Sequence, residues 1–469
     1  MTRHDPPPGP RGRAALEGLR ELRQSPLTFL CRVAAQYGDL VRYPVGPWEF
    51  YVATHPDHVG RVLQENQRAY SKDTFQYNLL KTVTGNGLLT SDGAFWLRQR
   101  RLAQPAFHHR RVEALDALIT AATVDMLEDW ERAAARAEPI DVTAAMMQVA
   151  LRIVGQALFS IDIREEADAL AQAVLVVLDH IVERARTLGL APDWLPTARN
   201  RCFRDALNAL DRVVYATIAQ RRRAGGGNHD LLAMLLAARD EETGEGMSDR
   251  QVRDEVMTLL IAGHETVASA LAWTWYLLAQ APEVERKLHA EVDAVLGGRP
   301  PSATDLPRLA YTRQVFEEAL RLYPPAWIIT RKTLAADTLG GYHIPAGALV
   351  ILSPYVTQRR PDLWEGPETF DPERFAPARA AGRPRFAYFP FGGGARLCIG
   401  NYFALVEAQL IIASVAQRFR LRLAPDQVVE PEPSVTLRPR HGLLMYPTLR
   451  HPHLAHNDAT AGSATPPMP

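Results

Sequence analysis

One cysteine at the end of a glycine-rich turn constrains this chain more than any other feature. Phe391-Gly-Gly-Gly-Ala-Arg-Leu-Cys398-Ile-Gly400 runs into an apolar stretch whose pattern predicts a helix from about Ile399 to Val415. A helix start presents unpaired N–H groups and the positive end of its dipole, which favours an anion. Cys398 is therefore biased towards thiolate, the form that binds metal. Gly392, Gly393 and Gly394 let the backbone turn tightly and pass close to a flat partner, and Arg396 adds a cation two residues before the sulfur. A lone cysteine after such a turn is more often a small buried hydrophobe. Here the neighbours decide.

The pattern Phe-x-x-Gly-x-Arg-x-Cys-x-Gly is matched at every position, and it resembles the haem-ligand signature of the cytochrome P450 family. The resemblance extends over roughly residues 27–446, with further motifs in the family's order. Ala262-Gly263-His264-Glu265-Thr266 lies inside a helix expected from Ser248 to Gln280, opened by the capping-box spacing Ser248-Asp-Arg-Gln251. By its residues alone the pentapeptide is either a kinked core segment or a polar site. Mid-helix glycine costs about 1 kcal/mol relative to alanine, a buried carboxylate needs a partner or water, and a threonine hydroxyl can bond back to the preceding turn. The segment is similar to the family's oxygen-activating helix. That implies that Ala262 and Gly263 make room for dioxygen, while Glu265 and Thr266 relay protons.

Glu318-Ala-Leu-Arg321 would ordinarily be a surface ion pair worth under about 1 kcal/mol. It resembles the family's Glu-x-x-Arg motif, and Pro372-Glu-Arg374-Phe375 resembles the segment that supplies a third member. The resemblance implies that Glu318, Arg321 and Arg374 brace the meander beneath the cysteine turn. Trp96 and Arg100 share one helical face and both donate N–H. By resemblance they hold a haem propionate, with Arg331 and Arg396 as further partners. Phe391, Gly392 and Gly400 complete the cofactor contacts. Arg98, Arg101, Arg110 and Arg111 form either a solvated face or a basic surface for an acidic redox partner. Gln358 stands where many relatives carry a histidine, which puts one local hydrogen bond in question.

Bulk properties bound the rest. At 469 residues and 47% hydrophobic the chain can bury a large interior. Its zero formal charge offers no general attraction for nucleic acid. Three cysteines, Cys31, Cys202 and Cys398, do not make a disulfide framework, and the first two are expected to pack as small hydrophobes. The histidines form no defensible ligand set. The N-terminus is proline-rich, and the longest apolar region, Met257 to Ala281, is broken by Gly263-His264-Glu265 and reads as a buried helix.

The pattern predicts a mainly α fold with a small β-rich portion drawn from both ends of the chain. By resemblance haem would lie between the long central helix and the helix after the cysteine. The expected organisation is a proline-rich arm over 1–25, one domain over 26–449, and a disordered tail over 450–469. Hairpins are expected at Leu40–Ala53 around Gly46-Pro47 and at Val435–Tyr446. Residues Ala69 to Ser91 read as a long loop, either a lid or folded back, and Gly225 to Asn228 as a surface loop.

The implied function is a soluble, cytoplasmic, bacterial-type monooxygenase with no membrane anchor. It would hold haem b through the Cys398 thiolate and insert one oxygen atom of O2 into a lipophilic molecule such as a terpenoid or fatty acyl chain. Electrons would come from a separate ferredoxin or flavodoxin with its reductase. Substrate contacts are expected from Phe75, Tyr77, Leu259, Trp327 and Ile328. A peroxide-driven or rearranging haem-thiolate enzyme and a non-catalytic haem sensor are the alternatives. The Glu265-Thr266 pair speaks against the first, because such relatives often lack it.

Overall fold

The protein is described by a computed structural model covering residues 6–45, 48–159, 167–187, 194–224 and 230–450. The turn at 46–47, the 225–228 loop and the tail from 451 lie outside these residues.

The central helix, Asp249–Gln280, starts where its capping box predicts. Ser248 Oγ accepts from Gln251 N at 3.3 Å and Ser248 N donates to Gln251 Oε1 at 2.7 Å. It packs along Val142–Phe159 and touches the helix after the cysteine, Asn401–Arg418. Leu271 and Trp275, Met146 and Ile153, and Leu410 and Ala413 from these three helices meet in one core cluster. The central helix is long and apolar enough to cross a membrane, but it is sunk in this core.

The strands join the two ends of the chain. In the largest sheet Leu40–Val45 and Trp48–Ala53 lie beside Leu349–Leu352, Ile329–Thr333 and Tyr70–Ser71. Phe50 is paired in parallel with Leu349. Arg13–Gln24, inside the segment expected as an arm, is a helix packed on Pro26–Tyr37.

Three expectations are corrected. Residues 69–91 are not one loop, because Phe75–Thr84 is a helix that buries Tyr77, Leu79, Leu80 and Val83. Three consecutive side chains of the central helix hold its far end. Arg253 Nη1 donates to Val83 O at 2.9 Å, Asp254 accepts from Asn86 N at 2.8 Å, and Glu255 from Leu88 N at 3.0 Å. Local pattern could not show this, since the partners come from 170 positions away in sequence. The stretch Val435–Tyr446 is not one hairpin either. Leu437–Pro439 pairs with Pro431–Pro433, whereas Leu444–Leu449 pairs with Phe419–Leu423. Finally, Cys202 is exposed and Cys31 only half-buried.

Candidate active site

A cavity of about 700 Å³ lies between the central helix and the cysteine turn. Of the three cysteines only Cys398 is on its wall, next to Phe391, Gly392 and Gly400. The turn is closed by Cys398 N donating to Phe391 O at 3.0 Å. Its glycines are required by space as well as by torsion. Gly394 has φ +63°, and a Cβ there would lie 1.9 Å from Leu63 O; one on Gly393 would lie 2.4 Å from the Phe386 ring. Cys398 is accessible from the cavity yet deep in the molecule. Burial pushes its thiol up, while the Gly400 N–H, Arg100 and Lys72 pull it down.

Cations gather at one edge. The Arg396 guanidinium stacks 3.7 Å above the Trp96 ring, donates to Ser91 O at 2.9 Å and pairs with Asp92. Arg100 donates to Leu397 O at 3.0 Å. Arg331, almost fully buried, donates to Tyr77 Oη at 3.2 Å. Lys72 joins them. Its Nζ donates to Leu89 O at 2.8 Å and lies 4.8 Å from the Tyr77 ring centroid. Burial, then Arg331 and Arg396, hold its ammonium well below the usual lysine range.

The central helix contributes Ala262, Gly263, Glu265 and Thr266 to the lining of the same cavity as the cysteine. Thr266 Oγ1 donates to Ala262 O at 2.6 Å, the expected back-bond. A Cβ on Gly263 would come within 2.8 Å of Val154 Cγ2, so this glycine also permits the close approach of the neighbouring helix. His264 is buried away from the cavity wall; burial lowers it to about 4 and keeps it neutral. Glu265 is 1% exposed, and burial pushes it up to about 7, opposed by Arg438 and Thr436. Thr436 is near enough to act on the carboxyl, but neither oxygen has a well-formed hydrogen bond among the described residues.

Glu318 and Arg321 are both fully buried and joined by two bonds of 2.7 Å. Arg321 also donates to the carbonyls of Gln358, Pro367 and Thr369. Arg374 lies 3.3 Å from Glu318 Oε1 and donates to Gly366 O. Gln358 closes the network. Its amide donates to Leu320 O and Arg321 O, and its Oε1 accepts from Phe389 N at 3.0 Å. The hydrogen bond left in question by the missing histidine is therefore made.

A family model described as Cytochrome P450 matches residues 6–447. The chain belongs to the cytochrome P450 family. It is 44% identical over 421 residues to cyclooctatin synthase of Streptomyces melanosporofaciens, covering 89% of this chain and 90% of that protein. Pentalenene oxygenase of Streptomyces avermitilis is 36% identical over 433 residues, covering 92% and 95%. The crystal structure of the cytochrome P450DA heme domain superposes with a TM-score of 0.88 at 29% identity, covering 96% of this chain and 99% of that one. Membership makes the chain a haem-dependent monooxygenase, with cysteine thiolate ligation and use of O2.

The residues present fit a P450 haem. Lys72, Arg100, Arg331 and Arg396 line the same cavity, and Asp92 is the carboxylate that acts on Lys72 and Arg396. That excess of positive charge calls for anions, which the two propionates of a haem would supply. Lys72 escaped the sequence reading because a single lysine in an irregular stretch carries no spacing. Its only signal was a charge amid the apolar residues of 69–91.

Of the expected substrate residues, Tyr77, Leu259 and Ile328 are on the cavity wall. Phe75 and Trp327 are not. Phe75 points outward at 46% exposure, and Trp327 is turned into the protein by its Nε1 donating to Ser434 O at 3.0 Å. The basic face is also reduced. Arg98 pairs with Glu245, and Arg101 with Asp240 and Glu242, leaving the exposed Arg110 and Arg111 as its members without an ion pair among the described residues.

Proposed function

We propose that this P450 oxidises a terpenoid of apolar skeleton, with Cys398 as the axial ligand and Glu265 and Thr266 as its proton-handling pair. The observation that carries the reading is that Cys398 shares one largely apolar cavity with Ala262, Gly263, Glu265 and Thr266. When bound, haem supplies dioxygen activation and the oxidising power. The chain supplies the rest. Lys72, Arg100, Arg331 and Arg396, with the Trp96 indole, hold the propionates. Leu80, Leu88, Leu259, Ile328 and Val435 exclude water and orient an apolar substrate. Glu265, near neutrality in its proton affinity, holds a proton that it can pass at its carboxyl oxygen, and Thr266 Oγ1 sits one residue further along the wall.

The terpenoid assignment is supported by similarity to pentalenene oxygenase and to cyclooctat-9-en-7-ol 5-monooxygenase, the latter 40% identical over 406 residues. Electrons come from a separate ferredoxin or flavodoxin system that docks near Arg110 and Arg111. The buried placement of the central helix supports a soluble, cytoplasmic enzyme. Residues 26–449 form one functional unit.

The test is the absorption spectrum of the reduced protein under carbon monoxide, beside Cys398→His. A strongly red-shifted Soret band that vanishes in the variant is expected. An unshifted band in the wild type would refute Cys398 as ligand. Turnover with surrogate redox partners then separates an oxygenase from a sensor, and Thr266→Ala is expected to lower product formed per electron consumed.

A further inference from the structure

Leu88 and Leu89 line the cavity from a stretch that is neither helix nor strand. Such a stretch keeps its place through whatever takes up its backbone N–H and C=O groups. Here the central helix takes two of them. Asp254 Oδ2 accepts from Asn86 N at 2.8 Å, and Glu255 Oε2 accepts from Leu88 N at 3.0 Å. From the other side Lys72 Nζ donates to Leu89 O at 2.8 Å. The approach to the helix leaves no room for side chains on the glycines between. A Cβ on Gly85, at φ +59°, would lie 2.1 Å from Asp254 Oδ1, and one on Gly87 would lie 2.2 Å from Thr258 Oγ1.

The helical side of this seat is itself fixed. Arg253 Nη1 donates to Asp254 Oδ1 at 3.0 Å, and its Nη2 to Asp211 Oδ1 at 2.6 Å, on the helix Ala198–Ala224. Glu255 is 1% exposed and is not on the cavity wall. Thr258 and Leu259, three and four residues further along the same helical face, are on it. We propose that Glu255 is a positioning residue for the substrate, acting through the seat it gives to Leu88 and Leu89. The proposal rests on the reading above that this cavity takes an apolar substrate.

The seat should respond to protons. Burial pushes the Glu255 carboxyl up to about 8; the Leu88 N–H pulls it down, and the Asp254 charge adds to the rise. With the stretch off its seat the carboxyl would meet water and return towards 4.5. Between those values the seated form holds the extra proton. Seating is therefore favoured at low pH and weakens as pH climbs through about 8. Residues 83–90 carry no titratable side chain. Lys72 is the other titratable group bonded to the stretch, held well below the usual lysine range, and its nitrogen can donate to Leu89 O in either protonation state.

The test is binding of clotrimazole, a bulky apolar azole, to the haem-loaded protein, read by the Soret shift between pH 7 and 9. In the wild type the dissociation constant is expected to rise severalfold over that interval. Glu255→Gln keeps an acceptor for Leu88 N but does not titrate, so its constant should stay level. Glu255→Leu removes the acceptor and should bind severalfold more weakly already at pH 7. Hydrogen exchange of the Leu88 amide, corrected for its intrinsic rate, should follow the same pattern with no ligand present. Wild-type Leu88 protection that is unchanged from pH 7 to 9, or a loss that persists in Glu255→Gln, overturns the proposal. These two proteins decide the matter even if Glu255→Leu fails to fold. A separate failure is distinguishable. If azole binding and Leu88 exchange behave as expected while no terpenoid shifts the Soret band, the terpenoid reading falls and the role of Glu255 stands.

Discussion

Glu318 and Glu265 are equally inaccessible, at 0% and 1% exposure, yet they sit in opposite kinds of surroundings. Glu318 receives two bonds from Arg321, one from Asp371 N at 3.1 Å, and the nearby charge of Arg374. Burial raises its acidity range, but these partners oppose the rise. Glu265 has a cation at a distance and a hydroxyl beside it. The first arrangement spends charge on geometry, tying the Glu318–Arg321 helix to Gln358 and to the run of residues 366–374. The second leaves a carboxyl near neutrality, which is what a group that must both hold and release a proton requires. Pairing makes a buried carboxylate structural; withholding the pair makes it chemical.

The largest test of this contrast is Arg321→Ala. It strands Glu318 as an uncompensated buried charge and unties the carbonyls of Gln358, Pro367 and Thr369. A loss of about 3–5 kcal/mol is expected, seen as little or no haem-loaded protein after expression. Stable holoprotein in good yield would mean that the meander is braced from elsewhere.

Glu265→Gln should do the reverse, sparing the fold and harming the reaction. The carboxyl rises from 4.5 to about 7 on folding, so the folded state binds the extra proton between those values. Its contribution to stability is therefore present at low pH and lost as pH climbs through about 7. Melting temperature against pH is expected to be flatter in the variant over that window, while product per electron drops about tenfold or more. An unchanged melting profile would mean that Glu265 is ionised throughout.

Lys72→Met sharpens the comparison with a cation in place of a carboxylate. Lys72 is disfavoured by burial and by Arg331 and Arg396, so its removal should stabilise the haem-free protein. The same change removes a proposed propionate partner and should speed haem loss severalfold, read as transfer to an acceptor apoprotein. If both forms are destabilised, the lysine is a packing element.

The smallest effect is expected at Gln358→His. Gln358 satisfies two carbonyls and one N–H. Imidazole keeps a donor and an acceptor there, so a cost of about 1 kcal/mol or less in thermal unfolding is predicted. A larger loss would show that the amide's double donation is essential to this version of the network.

The residues that carried information in sequence were those whose neighbours in the chain are also their partners in function. The cysteine turn, the central helix with its capping box, and the Glu318–Arg321 pair each depend on spacings of one to nine residues. Backbone torsion and helical periodicity enforce such spacings before any tertiary contact forms. The mainly helical architecture and the position of the candidate ligand were legible for that reason. What only the folded chain decided depends on contacts between distant segments. The helix at Phe75–Thr84 owes its placement to Arg253, Asp254 and Glu255. Phe75 and Trp327 face away from the cavity, the first towards solvent and the second held by its Nε1 donating to Ser434 O, a partner 107 positions later. Lys72 meets Arg331 across 259 positions, and Arg438 acts on Glu265 from a strand 173 positions later. Electrostatic coupling depends on separation in space, so no pattern along the chain could have revealed it.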